Sequence, residues 1–255
     1  MTPVILHIPH SSCLVPAEEM DLYTVSADTL AVENLRLADL HTETLYDLPG
    51  AARAVFPVSR FCVDAERFSD DAMEGMAGRG MGALYTHGTD LAPIRPVIPP
   101  ERRERLLRQY YWPHHNMLDD LAQERLDTFG HCLVIDCHSY PSAALPYELE
   151  NRLLPRPEIG IGTDGFHTPP ALARAMESVF STLGYQVGLD TPFTGALVPN
   201  RFYGRDKRLS SIMIEVRKDL YMDEVTGLRN DNFNKIRSDL TQAMAAAAAS
   251  MAKMA

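Results

Sequence analysis

Six short apolar runs, each of strand length and each followed by amphipathic or turn-rich sequence, leave few folds open to this chain. They are Pro3 to Ile8 (PVILHI), Ala52 to Val58 (ARAVFPV), His131 to Cys137 (HCLVIDC), Glu158 to Gly162 (EIGIG), Tyr185 to Leu189 (YQVGL) and Ser211 to Val216 (SIMIEV). Between them, Thr29 to Tyr46 repeats Ala31, Leu35, Ala38, Thr42 and Leu45 at steps of four and three, which predicts one helix with Asp39 just off its apolar face. Pro169 and Pro170 suit a helix start, and Leu172, Met176, Val179, Phe180 and Leu183 carry the helical period to a stop at Gly184. Arg102 to Leu126 is helical in pattern with a kink or break at Pro113, and the alanine-rich stretch from Asn232 to Ala255 favours helix by propensity. Asp70 to Pro100, rich in Gly, Met and Pro and without a period, reads as a long loop of the kind that serves as a lid. The alternation predicts an α/β fold, a sheet with helices packed on its faces.

At 255 residues the chain can bury one large core, and the absence of repeats or linker-like composition predicts a single domain over 1–255. Thirty-four acidic against 24 basic residues give a net charge of −10, which argues against a broad nucleic-acid surface. No run is long enough for a membrane span, and the first residues lack a basic segment followed by a long apolar one, so a cytoplasmic protein is expected. Cys13, Cys62, Cys132 and Cys137 form no CxxC pair, which points to a reduced compartment without a cysteine-type zinc site. A homo-oligomer is compatible with all of this.

Two of the apolar runs end in histidine: His10 in IPHSS and His138 in DCHS. The carboxyl ends of strands are where open α/β sheets place their ligands, and imidazoles fixed there make good zinc ligands, with Asp136 able to orient a ring. Cys137 suggests a thiol nucleophile instead, but neighbours on a strand point to opposite faces, which keeps it from His138. Glu215, in the middle of SIMIEV, is a carboxylate among apolar neighbours; either it is a general base or it pairs with Arg217, two residues on. A mononuclear metallohydrolase needs three protein ligands and a separate base. Asp39 and His41 are equally good candidates for the third ligand, with Asp64 and Glu66 behind them. In SRFCVDAERF, Arg60 and Arg67 flank Asp64, and one of them can clamp an anionic substrate unless the group is a surface ion-pair cluster.

Taken together and in order, these segments resemble those of the N-formylglutamate amidohydrolase family. The matching pieces are IPHSSCLVP (8–16), ADLHTETLYD (38–47), VSRFCVDAER (58–67), ALYTHGTDLAPI (83–94), YYWPHHNML (110–118), VIDCHSYPS (134–142), IGTDGFHTPP (161–170), TPFTGA (191–196) and IEVRKDLYMDE (214–224). The resemblance implies a three-layer α/β/α sandwich with a mixed, mostly parallel central sheet, like that of zinc carboxypeptidases and aspartoacylase. It also implies metal-dependent hydrolysis of an N-acyl amino acid, by default N-formyl-L-glutamate, with one Zn2+ or another divalent transition metal. Carried over residue by residue, His10, Asp39 and His138 become metal ligands, Glu215 the catalytic glutamate and Arg67 the binder of the substrate carboxylate. Arg60 is the candidate for stabilising the oxyanion, and His115, in a matched segment, and Arg201, between two of them, are candidate substrate binders. The chain departs from the family pattern at Glu66 and Asp190, where asparagine is usual; both place an acceptor-only group where an amide could donate. The rival readings are a related zinc hydrolase for another N-acyl amino acid or a short peptide, a metal-dependent anion-binding module without catalysis, and a cysteine amidase.

Overall fold

The computed structural model describes residues 1–148 and 153–252. In chain order its main elements are β1 (Val4–Ile8), α1 (Ala27–Leu37), α2 (Thr42–Leu45), β2 (Ala52–Val55), α3 (Pro100–Leu106), α4 (Trp112–Phe129), β3 (Cys132–Tyr140), β4 (Ile159–Thr163), α5 (Pro170–Thr182), β5 (Val187–Leu189), β6 (Leu209–Arg217) and α6 (Phe233–Ala252). All six apolar runs are strands of one sheet, ordered β2-β1-β3-β6-β4-β5. Every neighbouring pair is parallel except β4 with β6. The sheet is therefore mixed and mostly parallel, with helices on both faces, as expected.

The period of two along each strand sorts side chains between those faces. Val4, Leu6 and Ile8 of β1, Leu133, Ile135 and Cys137 of β3, and Ile212, Ile214 and Val216 of β6 share a core with Leu172, Met176 and Phe180 of α5 and Leu240 and Met244 of α6. Ile5, Cys132, Val134 and Leu209 pack on the opposite face, against Leu118, Ala122 and Leu126 of α4. Central strands covered on both sides read as nearly continuous apolar runs, as these do. By the same parity His7, Asp136, His138 and Glu215 all belong to the α4 face, and Cys137 to the other.

Three expectations need correction. Thr29 to Tyr46 is not one helix: α1 ends at Leu37, and α2 starts at Thr42 after His41 takes a left-handed conformation (φ 69°). The break comes from tertiary partners for backbone groups that a continuing helix would use. Lys218 Nζ bonds Arg36 O (2.9 Å) and Ala38 O (2.8 Å), and His10 O accepts from Asp39 N (2.8 Å). The helix around Pro113 starts at Pro100 and runs to Phe129, and its irregularity is a π turn over Leu107–Tyr111 just before Pro113. The ring of Pro113 has no N–H to give the preceding turn, and the widened turn absorbs it. β2 stops at Val55, short of Val58, because Pro57 cannot continue a ladder. The 70–100 segment is a loop interrupted by a single turn at Ala77–Arg79, and the C-terminal helix is present through Ala252, with 253–255 outside the described residues. Among the described residues no helix is long and apolar enough to cross a membrane.

Candidate active site

The ends of β1 and β3 and the α1–α2 break converge on one point. His10 follows β1, His138 lies near the end of β3, and the break turns Asp39 towards both. His138 Nδ1 is 3.1 Å and His10 Nδ1 3.7 Å from the same oxygen, Asp39 Oδ2, and all three residues are buried. The outer nitrogens of the two rings are held by other carboxylates: His10 Nε2 by Asp64 (2.9 Å) and His138 Nε2 by Asp136 (3.0 Å). Such contacts fix ring orientation and raise ligand basicity. They leave the Nδ1 atoms facing inwards, and that of His10 is buried with no hydrogen-bond partner. A buried lone pair aimed at a carboxylate oxygen is costly unless a cation lies between them, so this donor set fits a divalent metal. His41 is not part of it, since its Nε2 bonds Gly227 O at 2.8 Å.

Glu215 is the register neighbour of His138 across the β3–β6 ladder, and its Oε2 is buried without a partner. It does not pair with Arg217, whose guanidinium bonds Asp219 and the carbonyl of Arg156. Burial, reinforced by Asp39 and Asp136, pushes the Glu215 carboxyl up to about 8. It opens into a cavity of about 470 Å³ that His10, Asp39, His138, Arg60 and Arg67 also line, a volume suited to a small molecule. Arg60 bonds Asp64 Oδ2 through Nε (3.1 Å) and Nη2 (2.9 Å). Arg67 is the freer cation: its Nε has no hydrogen-bond partner and lies 4.0 Å from Asp64. Arg60 and Asp64 are thus a buried part of the site and not a surface ion-pair cluster.

A second group, His7, Glu66 and Asp136, is also close enough to hold a metal; here His7 bonds Asp136, whereas Glu66 Oε1 is buried without a hydrogen-bond partner. His7 Nδ1 lies 2.8 Å from Asp136 Oδ1 and 3.2 Å from Glu66 Oε1, while its Nε2 bonds His114 Nε2 at 2.9 Å. Against the cost of burial, Asp136 and Glu66 raise the His7 imidazole to about 9, which makes it a counter-charge for both carboxylates. Glu66 also reaches His138 Nε2 (3.4 Å), so it is turned towards two imidazoles. Asp190 bonds the backbone N and the hydroxyl of Thr163, both at 2.8 Å. Of the two acidic departures from the family pattern, Asp190 is therefore hydrogen-bonded through both oxygens, and Glu66 is placed against the His7 and His138 rings with its Oε1 free of a hydrogen bond.

Two residues named from the sequence as substrate binders lie elsewhere. Arg201 pairs with Asp120 on the surface (3.0 Å), drawn there because its own backbone N bonds Asp119 of α4. His115 is buried on α4 and bonds the carbonyl of Ala65 (3.0 Å). The cavity is lined also by Arg79, at the end of the short turn Ala77–Arg79, and by Tyr147, Glu148 and Phe193 from irregular segments, none of them in a stretch with a period to reveal it. His7 was hidden inside an apolar strand; its only sequence signal was a polar residue on the face shared with Asp136.

His114 and His115, neutral and buried, make stability pH-dependent. Burial holds His115 down at about 4, and burial together with the charge on His7 holds His114 at about 2. An unfolded histidine titrates near 6.5, so as the pH falls below that value the unfolded chain binds protons that the folded one refuses. His115 alone should then remove about 3 kcal/mol of stability between pH 6.5 and 4. Urea unfolding across that range should show a steep loss that His115→Gln makes shallower; equal slopes in the two proteins would contradict this.

The family described as N-formylglutamate amidohydrolase matches residues 2–222. An N-formylglutamate deformylase from Pseudomonas putida is 27% identical over 232 residues, which covers 87% of this chain and 82% of that protein. A crystal structure of N-formylglutamate amidohydrolase from Ralstonia eutropha is similar with a TM-score of 0.83 at 26% identity, over 100% of this chain and 95% of that one. A gene product of Agrobacterium tumefaciens shares the fold, with a TM-score of 0.65 at 19% identity over 96% of this chain and 91% of that one.

Proposed function

The chain belongs to the N-formylglutamate amidohydrolase family and is a hydrolase, and on that premise we propose that it cleaves N-formyl-L-glutamate to L-glutamate and formate with a divalent metal held by His10, Asp39 and His138. The observation that carries this reading is the meeting of two Nδ1 atoms on one oxygen of Asp39, in the same cavity as an unpartnered Glu215 carboxylate and the Arg67 guanidinium. Two imidazoles and a carboxylate suit zinc, and manganese, cobalt or iron(II) accept the same set. A divalent ion bound there supplies Lewis-acid polarisation of the acyl oxygen and makes water a better nucleophile at neutral pH.

The chain's own residues do the rest. Glu215 takes a proton from the attacking water as the oxygen–carbon bond forms, then delivers it to the amide nitrogen as the carbon–nitrogen bond breaks. A carboxyl with raised proton affinity suits both transfers. Arg67 holds the substrate's α-carboxylate and fixes the acyl group against Glu215, so that binding energy goes into orientation. Arg60, held by Asp64, places positive charge where the oxyanion develops. Asp64 and Asp136 keep the rings of His10 and His138 in position.

Formate release from N-formyl-L-glutamate, measured beside N-acetyl-L-aspartate and small dipeptides, tests the substrate. N-formyl-L-glutamate should have the highest kcat/KM; faster cleavage of another member of the panel would reassign the substrate. Saturable binding by calorimetry with no product from any of them would favour an anion-binding module. Arg67→Gln should raise KM about 100-fold, as expected when one partner of a desolvated charge pair is removed.

A further inference from the structure

Glu66 and Arg67 face the cavity from an irregular segment, so the position of their side chains depends on what holds that backbone. Asp64 Oδ1 accepts from Glu66 N at 2.9 Å. The other two anchors come from the helix that carries the π turn. His115 Nε2 donates to Ala65 O at 3.0 Å, and Tyr111 Oη donates to Arg67 O at 2.9 Å. Neither residue lines the cavity. The two are four apart, on one helix face, with ring centroids 4.2 Å from each other. Together they grip alternate carbonyls on either side of Glu66.

The π turn makes this grip compatible with core packing. Leu106 and Leu107 enter a core with Val58, Cys62, Val63 and Ala65, whereas Leu118, Ala122 and Leu126 face the sheet. A regular helix carries one buried stripe, and the extra residue at Leu107–Tyr111 lets the stripe change direction while Tyr111 still reaches Arg67 O. His115 is suited to a fixed donor: its Nδ1 is buried without a partner, which the neutral ring with hydrogen on Nε2 tolerates and the charged ring does not.

We propose that Tyr111 and His115 are positioning residues that set the placement of the Arg67 guanidinium, and so the affinity for the substrate carboxylate, without touching the substrate. The proposal rests on Arg67 being the carboxylate anchor. Tyr111→Phe keeps the ring and its packing and removes one donor. It should raise KM for N-formyl-L-glutamate about 3- to 10-fold, with kcat changed less than about twofold and metal content unchanged, the size expected for one hydrogen bond. Calorimetric Kd for L-glutamate should weaken by the same factor. His115→Gln, which keeps an amide donor, should stay near wild type, and His115→Leu should resemble Tyr111→Phe. In an Arg67→Gln background, Tyr111→Phe should add little, because both changes act on one contact. A raised KM in Arg67→Gln with unchanged KM and Kd in Tyr111→Phe overturns the clamp alone. Unchanged KM and Kd in Arg67→Gln overturn the anchor on which it depends.

Discussion

Glu215→Gln is expected to lower kcat by about 10²- to 10⁴-fold, the usual contribution of a positioned general base, while leaving the metal in place. The amide keeps the shape of the side chain but cannot accept the water's proton. The effect should be large because Glu215 is the register neighbour of His138 and lines the cavity with its Oε2 unpartnered, whereas the other acidic side chains there face cationic or backbone groups. Glu66 faces His7 and His138, Glu148 bonds Arg156 (2.8 Å) and the backbone N of Leu145 (2.8 Å), and Asp190 is held by Thr163. Glu215 Oε2 is buried and unpartnered beside them. Full turnover by a metal-loaded Glu215→Gln protein would remove this residue from the mechanism.

The second large effect concerns the metal. Purified protein should contain one divalent ion per chain, and chelation should reduce formate release to background, with zinc restoring it. Asp39→Asn and His138→Ala should lose the ion as well as the activity. Because a ligand that binds only the folded state stabilises it by RT ln(1 + [L]/Kd), free metal at 100 times Kd should add about 2.7 kcal/mol to unfolding, readable as a shift in Tm. Neither variant should show that shift. Undiminished turnover by protein shown to be metal-free would falsify the metal assignment, and a full complement of metal in Asp39→Asn would remove Asp39 from the ligand set.

The difference between His10 and His41 shows how far the primary structure could be read. Both histidines fall in family-like segments, but His10 follows an apolar run long enough to be a buried strand, so its place at a sheet end follows from periodicity. His41 lay in a stretch whose period predicted a continuous helix, and nothing local announces a break there. The break depends on Lys218, 180 residues beyond Ala38, and on the carbonyl of His10. The local sequence therefore does not distinguish Asp39 from His41; that contact does. His7 and Glu66 tell a similar story. One looks like strand interior and the other like a repulsive substitution, and only their 3.2 Å contact shows that each accommodates the other's charge. Arg201 is the opposite case, a residue within the span that the family matches whose side chain the surface of α4 draws away.

What the primary structure determined by itself is whatever depends on neighbours along the chain. Six apolar runs specified six strands, the 3.6-residue period specified α5, and strand parity kept Cys137 away from His138. The tertiary structure alone decided which polar groups meet, because contacts such as His7 with Asp136, His10 with Asp64 and Lys218 with Ala38 join residues 54 to 180 positions apart. A buried polar group costs several kcal/mol unless a partner arrives from elsewhere in the fold, and no local pattern records where that partner lies.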